Sequence, residues 1–130
     1  GGLEEMEQKV CLDTSSVIDH LKGRDHSQLE QLLNKDSKQI FVSAVTAYEL
    51  RLRQDNLEPV ERFLQKVPII AFDAETARIA SRMSNDLKRK GTPVDPRDVF
   101  IAATAVQWNA SILTQNRADF EKIHEVKIVH

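Results

Sequence analysis

The segment from Lys9 to Leu21 reads Lys-Val-Cys-Leu-Asp-Thr-Ser-Ser-Val-Ile-Asp-His-Leu. It begins with a short apolar run whose length and composition are typical of a buried β-strand. The run ends at Asp13, and apolar residues then recur at helical spacing. In open α/β sheets, a turn from strand to helix faces the ligand crevice. An aspartate at this point either caps the helix or takes part in chemistry, and this segment leaves both interpretations open.

The composition is that of an ordinary globular domain. The 130 residues are 41% hydrophobic and 29% charged, which suits one domain with a sizeable core. The net charge of −2 means that any binding to nucleic acid must be local. The single cysteine, Cys11, excludes an internal disulfide and a cysteine-rich zinc site, and its apolar neighbours predict an inert core residue.

Two expectations concern the chain as a whole. We find no signal peptide and no apolar stretch long enough to cross a membrane, and we expect a cytoplasmic protein. We also expect a single domain over residues 1–130, with residues 1–8 disordered or left over from an expression vector.

Short apolar runs alternate with helical patterns along the whole chain. Strands are expected at residues 10–12, 39–42, 67–71, 111–114 and 126–129. Pro68 should keep the third of them short. This alternation predicts an α/β fold, in which a mostly parallel sheet of about five strands is covered by helices on both faces.

The helix after the second strand contains an acid in an unusual place. Ser43 is a good N-cap for this helix. The stripe that we expect to face the core contains Val45, Tyr48, Glu49 and Leu52. An acid beside core-facing residues is unusual, which makes Glu49 a candidate functional residue.

A long helix should follow the third strand, capped by Asp73. Its predicted packing face comprises Ala77, Ala80, Met83, Ser84 and Leu87. It ends at Lys88-Arg89-Lys90 and Gly91, because cations in the last turn followed by glycine commonly stop a helix. Contact with the phosphates of a nucleic acid is the alternative role for these cations.

The next helix is predicted to lie at the centre of the molecule. Asp95 followed by Pro96 indicates its start, with Asp95 as the N-cap. Asp98 falls at its third position, and the residues beyond are apolar on nearly every face. A helix of this kind is buried.

Four acids fall where the carboxyl ends of parallel strands would meet. Asp13 follows the first strand, and Glu49 lies two turns into the helix after the second. Asp98 begins the buried helix, and Asp119 lies one turn past the fourth strand. Singly, each acid has a structural explanation, such as a favourable charge at a helix N-terminus. Together they would repel one another unless a cation neutralised them.

The ligand chemistry of these acids suits a hard cation. Oxygen ligands without His or Cys favour Mg²⁺ or Mn²⁺, and such a site performs phosphoryl chemistry. The four histidines lie outside the acidic turns, and the chain has only four glycines, so neither a serine–histidine nucleophile nor a glycine-rich phosphate loop is indicated. Arg51, Arg53, Arg97 and Arg117 lie close to the acidic segments in sequence. Arg97 and Arg117 are candidates for contact with substrate phosphates, with solvated helix charges as the alternative.

Four strings resemble the motifs of the PIN domain: VCLDTSSVIDHL, VSAVTAYEL, GTPVDPRDVFIAATAV and ILTQNRADFEKI. They occur in the order of that family, from about Val10 to the C-terminus, and resemble most closely the VapC-type ribonuclease toxins of prokaryotic toxin–antitoxin pairs. The resemblance implies a three-layer sandwich and an endoribonuclease that hydrolyses RNA phosphodiester bonds with Mg²⁺ or Mn²⁺. It also implies a homodimer and a VapB-type antitoxin that blocks the acidic pocket.

The resemblance assigns roles to individual positions. Asp13, Glu49 and Asp98 match the family's three metal-holding acids, and Asp119 matches the more variable fourth. Supporting positions are Ser15, Thr114 and Asn116. Asp95 stands where many relatives have glycine or another turn former, and we interpret it as a helix cap.

Three alternatives remain beside a toxin nuclease. A PIN nuclease for RNA processing would lack an antitoxin. A PIN scaffold that binds without cutting is disfavoured by the intact acids. A signalling receiver domain also gathers acids around Mg²⁺, but it needs a lysine after the fifth strand, where this chain ends.

Overall fold

A computed structural model describes residues 8–24, 27–34, 39–53, 55 and 57–129. The expectation for the N-terminal residues therefore falls, apart from Gln8, outside the described residues. The strands are β1 (Lys9–Leu12), β2 (Gln39–Ser43), β3 (Ile69–Ile70) and β4 (Ser111–Leu113). The helices are α1 (Thr14–Leu21), α2 (Ser27–Leu33), α3 (Ala44–Arg51), α4 (Leu57–Lys66), α5 (Ala74–Lys90), α6 (Pro96–Gln107) and α7 (Arg117–Glu121).

The strands form one parallel sheet in the order β3-β2-β1-β4. Cys11 at the centre of β1 pairs with Phe41 on one side and with Ile112 on the other. Because all pairings are parallel, the carboxyl ends of the strands lie along the same edge. The predicted α/β class is confirmed.

The number of strands differs from the prediction. Among the described residues the sheet has four strands rather than about five, because residues 126–129 contribute a single bridge between Ile112 and Ile128. Ile112 N donates to Lys127 O, and Val129 N donates to Ile112 O. The carbonyl of Val129, which would continue such a ladder, accepts instead from Nη1 of Arg117 at 2.9 Å. The predicted fifth strand is therefore wrong.

Each face of the sheet carries its own core, because successive strand residues point to opposite faces. Cys11 and Phe41 pack with α5, α6 and α7, while Val10 and Leu12 pack with α1, α2 and α4. Cys11 is fully buried, and burial raises the pKa of its thiol. The central helix is α6, whose buried residues are Val99, Ile101, Ala102, Ala103, Thr104 and Ala105. The predictions of a core cysteine and a buried helix are confirmed.

The predicted helix caps are confirmed by their hydrogen bonds. Ser43 accepts from the backbone of Thr46, and Asp73 forms a capping box with Thr76. Asp95 accepts from the backbone of Arg97. These bonds join residues two or three positions apart, so the local sequence was sufficient to predict them.

Two predicted packing faces need correction. In α3 the buried residues are Thr46, Ala47 and Leu50, whereas Tyr48 and Leu52 are 59% and 57% exposed. The hydroxyl of Thr46 contacts the hydroxyls of Thr14 and Ser43. The face of α3 that packs on the rest of the protein is therefore the one with Thr46, and Tyr48 lies outside it. Of the five α5 residues predicted to pack, Ser84 is exposed, whereas Thr76 and Ile79, which were not predicted to pack, are buried.

None of the helices in the described ranges combines the length and the hydropathy needed to span a bilayer.

Candidate active site

Asp13 is both a helix cap and a buried acid. Its backbone follows β1, and Oδ1 accepts from the amide of Ser16 at 2.9 Å, which caps α1. Ser15 Oγ lies 2.9 Å from each carboxylate oxygen, and Thr114 Oγ1 donates to Oδ2 at 2.5 Å. Only 3% of Asp13 is exposed. The two interpretations that the sequence left open are therefore compatible.

Two effects of the environment shift the pKa of the Asp13 carboxyl in opposite directions. Burial raises the pKa of its carboxyl above the ordinary value, because the ionised form loses contact with water. Hydrogen bonds from Thr114, Ser16 and Ser15 lower the pKa, because they favour the ionised form. The net pKa is raised, so the carboxylate gains from a cation placed beside it.

Glu49 reaches the site from α3 and is held at both carboxylate oxygens. Oε1 accepts from Thr14 Oγ1 at 2.7 Å, and Thr14 lies at the start of α1 directly after Asp13. Oε2 lies 3.4 Å from Nη1 of Arg97. Its side chain is 18% exposed, so the carboxylate is partly accessible to solvent.

Asp98 lies close enough to the other acids for their charges to act on it. It is half-buried in the first turn of α6. Its pKa is raised to about 6, mainly by burial and then by the charges of four other acids, which are, in order of effect, Asp95, Asp119, Asp13 and Glu49. The structure thus brings together the four acids predicted from the sequence, which come from four separate segments.

The fourth acid is the most exposed part of this set. Asn116 Nδ2 donates to Oδ2 of Asp119 at 2.7 Å, and Lys122 Nζ lies 3.6 Å from its Oδ1. The amide of Asn116 donates to Thr114 Oγ1 at 2.8 Å. The predicted supporting residues thus form a chain of contacts from Asp119 through Asn116 and Thr114 to Asp13.

The candidate RNA-binding arginines occupy different surroundings. Arg97 contacts Glu49 and pairs with Asp95, whose pKa its guanidinium lowers by hydrogen bonding. Arg117 binds the carbonyl of Val129 and lies 3.7 Å from Glu121. Arg51 points out of the site and pairs with Glu61 through two hydrogen bonds.

The donor set fits a divalent cation in its chemistry. Its acids are hard oxygen donors whose mutual repulsion a cation would relieve. Within the ranges that the structure describes, no three Asp, Glu, His or Cys side chains form a ready-made metal cage. The charges of the acids therefore favour a cation near Asp98, although in this conformation Glu49 is held by Thr14 and Arg97.

The sequence of the chain matches a known protein family. The pattern of the PIN domain matches residues 10–126, which is most of the chain. The chain belongs to the PIN-domain family. The resemblance drawn from the four motifs is thereby confirmed.

Several named relatives of this PIN domain are VapC ribonucleases. It is 31% identical over 126 residues to ribonuclease VapC1 of Methanocaldococcus jannaschii, covering 95% of this chain and 87% of that one. It is 28% identical over 127 residues to the tRNA(fMet)-specific endonuclease VapC of Salmonella typhimurium, covering 92% and 96%. A solved structure of DNA-bound VapBC from Salmonella typhimurium matches with a TM-score of 0.82 and 28% identity, covering 94% of this chain and 97% of that one.

Three hydroxyl residues of this PIN domain were missed as site residues. Thr14 binds Glu49, Thr46 lies 3.1 Å from Thr14, and Ser16 Oγ donates to Leu113 O. The signal for two of them was the run of three hydroxyl residues after Asp13. Thr46 carried no such signal, because Thr14, its partner beside the acids, is distant in sequence.

Proposed function

We propose that this chain is a Mg²⁺- or Mn²⁺-dependent endoribonuclease, the toxin of a VapBC-type toxin–antitoxin pair. The observation that carries the proposal is that Asp13, Glu49 and Asp119, from three other segments, act with their charges on the half-buried Asp98, whose pKa is raised by burial and by these charges. Similarity to VapC ribonucleases over nearly the whole chain supports RNA as the substrate. RNA as the substrate would place the reaction in the cytoplasm.

The proposed division of labour follows from the contacts. Asp13, Glu49, Asp98 and Asp119 would hold the cation. When bound, the cation lowers the pKa of an attacking water and stabilises charge on the leaving oxygen. Thr114 and Ser15 keep the carboxylate of Asp13 oriented by donating to it. Asn116 orients Asp119 in the same way.

Cations near the site would bind the RNA backbone. Arg97 is the better candidate of the two predicted arginines, because its side chain is 55% exposed and lies at the acids. Arg117 would have to leave the carbonyl of Val129 to reach a phosphate through the same nitrogen. Phosphate contacts of this kind hold the strand without selecting its sequence.

A groove whose lining includes none of the four acids suits one segment of the antitoxin. It has a volume of about 510 Å³ and lies between α1, α2 and α4. Its walls include Leu33, Pro59 and Phe63, and Arg62 and Lys66 line it as well. An apolar antitoxin segment with acidic residues would complement these walls and charges. The VapBC assembly of the Salmonella typhimurium relative supports a VapB-type partner.

The outer face of α3 supports a homodimer. Tyr48 in α3 and Leu52, the C-cap of α3, are large exposed residues close to Glu49 in sequence. Exposed apolar side chains grouped on one helix face are typical of interaction sites. A second copy that covered this face would bring two acidic sites close together.

The proposal is tested by cleavage of RNA under control of the metal. The purified chain is incubated with tRNA(fMet), chosen because one relative is named for it, and with total RNA. We expect cleavage with Mg²⁺ or Mn²⁺, loss of cleavage in EDTA, and recovery when Mn²⁺ is added in excess. Asp98→Asn is the control for contaminating nucleases. Equal cleavage by the wild type in EDTA, or by the variant, would contradict the proposal.

A further inference from the structure

Arg97 makes an unusual set of contacts for an exposed arginine at the start of a helix. Its Nε and Nη2 lie 3.2 and 3.0 Å from the two carboxylate oxygens of Asp95. Its Nη1 lies 3.4 Å from Oε2 of Glu49. Hydrogen bonding to Asp95 raises the pKa of Arg97, and the charges of Asp95, Glu49 and Asp98 raise it as well. The positive charge of this guanidinium therefore interacts favourably with three carboxylates, those of Asp95, Glu49 and Asp98.

This contact uses the outer oxygen of Glu49. Oε1 accepts from Thr14, so the oxygen that has no hydrogen-bond donor from Thr14 is the one that Arg97 holds. A metal ion that bound Glu49 through this oxygen would compete with Arg97. Two cations cannot share one carboxylate oxygen at short range without strong repulsion. The absence of a ready-made cage among the described residues agrees with a Glu49 that is turned toward Arg97.

We propose that Arg97 is a built-in counter-ion that competes with the metal for Glu49. Without metal, it neutralises the mouth of the acidic pocket and stabilises the fold against the repulsion among the acids. With metal bound, Glu49 releases Arg97, and Asp95 retains it at the rim of the pocket. Arg97 thereby lowers the affinity for the metal and sets the metal concentration at which the site fills. This inference rests on the proposed metal site.

Asp95 explains why Arg97 would stay near the site after its release. Its carboxylate binds both the side chain and the amide of Arg97, the latter at 2.8 Å. The amide bond also caps α6, so the anchor is fixed to the helix that carries Asp98. A guanidinium held in this place remains available to an RNA phosphate.

The test is metal binding by the protein alone, without RNA. Isothermal titration with Mn²⁺ compares the wild type with Arg97→Gln, Arg97→Lys and the matched control Arg51→Gln. Arg51 lies on the same helix as Glu49 but pairs with Glu61, so its loss changes the net charge equally without freeing Glu49. We expect Arg97→Gln to bind Mn²⁺ roughly two- to fivefold more tightly, the range for an exposed ion pair. Arg97→Lys and Arg51→Gln should stay closer to the wild type.

A second measurement follows the metal-free state. The Tm of Arg97→Gln in EDTA should be lower than that of Arg51→Gln, and its rise on adding Mn²⁺ should be larger. Unchanged or weaker Mn²⁺ binding by Arg97→Gln would overturn the inference, and so would an equal gain in Arg51→Gln. If Arg97→Gln cleaves RNA with Mn²⁺ but binds Mn²⁺ as tightly as the wild type, the inference fails while the proposed nuclease function stands. Tighter Mn²⁺ binding by Arg97→Gln in a chain that cuts no RNA would support the inference and contradict the proposed nuclease.

Discussion

The hydroxyl of Thr114 donates a hydrogen bond of 2.5 Å to Oδ2 of Asp13, joining the carboxyl ends of β4 and β1. The two residues are 5% and 3% exposed, which leaves little room for water to replace this bond. Of the contacts that lower the pKa of Asp13, the bond from Thr114 has the largest effect. Thr114 therefore helps to keep a buried acid ionised, as metal binding requires.

Replacing Thr114 by valine should weaken metal binding. Valine keeps the shape and removes the hydroxyl, so that the pKa of Asp13 rises further and Oδ2 loses its bond from Thr114. Loss of a group that supports a metal ligand typically lowers affinity on the order of 10- to 100-fold. Titration with Mn²⁺ measures the effect. Thr104→Val is the matched control, because Thr104 is also buried but bonds only within α6 in the contacts described. Equal affinities of the two variants would count against this role of Thr114.

Asp95 and Asp98 should respond in opposite ways to substitution. Asp95→Ala removes the cap of α6 and should cost about 0.5–2 kcal/mol of stability. Asp98→Asn removes a charge that its neighbours disfavour, so the metal-free fold should stay intact while cleavage is lost. Chemical denaturation and a cleavage assay on the folded fraction separate the two effects. Normal cleavage by Asp98→Asn together with none by Asp95→Ala would show that the acids were assigned wrongly.

The metal-free protein should lose stability as the pH rises. The pKa of Asp98 is raised from 3.8 to about 6, so the folded state binds this proton more tightly than the unfolded state. The stabilisation is complete below the ordinary pKa and is lost as the pH passes through about 6. In EDTA, the Tm of the wild type should therefore fall more than that of Asp98→Asn between about pH 5 and pH 7.5. If the Tm of both proteins falls equally with pH, Asp98 is not the cause of the loss of stability.

The sequence predicted those parts of the site that depend on local signals. Asp13 was found because strand, acid and helix follow one another within a few residues, and the caps Ser43, Asp73 and Asp95 bond to backbone nearby. Convergence of the acids followed from the parallel sheet, whose strand ends share one edge. These inferences needed no knowledge of side-chain contacts.

Features that depend on distant partners were predicted wrongly or missed. Tyr48 and Leu52 were expected in the core, but α3 buries Thr46, whose hydroxyl partner Thr14 lies in α1. The predicted fifth strand is a single bridge between Ile112 and Ile128, and next to it Arg117 donates a hydrogen bond to the carbonyl of Val129. Periodicity alone reveals neither contact, because each joins residues from different segments of the chain.

Charging the exposed face of α3 should disrupt the proposed homodimer. Tyr48→Glu and Leu52→Glu place an acid on each of the two exposed apolar positions, which should make association unfavourable. Sedimentation velocity should show dimers of the wild type and monomers of the double variant. Trp108→Gln, 43% exposed at the end of α6, is the control and should remain dimeric. A wild type that is monomeric at high concentration would refute the dimer.

The central claim is that acids from four segments bind the catalytic metal. It is tested most directly by measuring Mn²⁺ binding and RNA cleavage over the same range of Mn²⁺ concentrations, in the wild type and in Asp98→Asn. The account predicts that the cleavage rate of the wild type follows its binding curve, and that the variant, folded as judged by circular dichroism, shows neither tight binding nor cleavage. Cleavage that proceeds without bound Mn²⁺, or that persists in Asp98→Asn, would contradict the account.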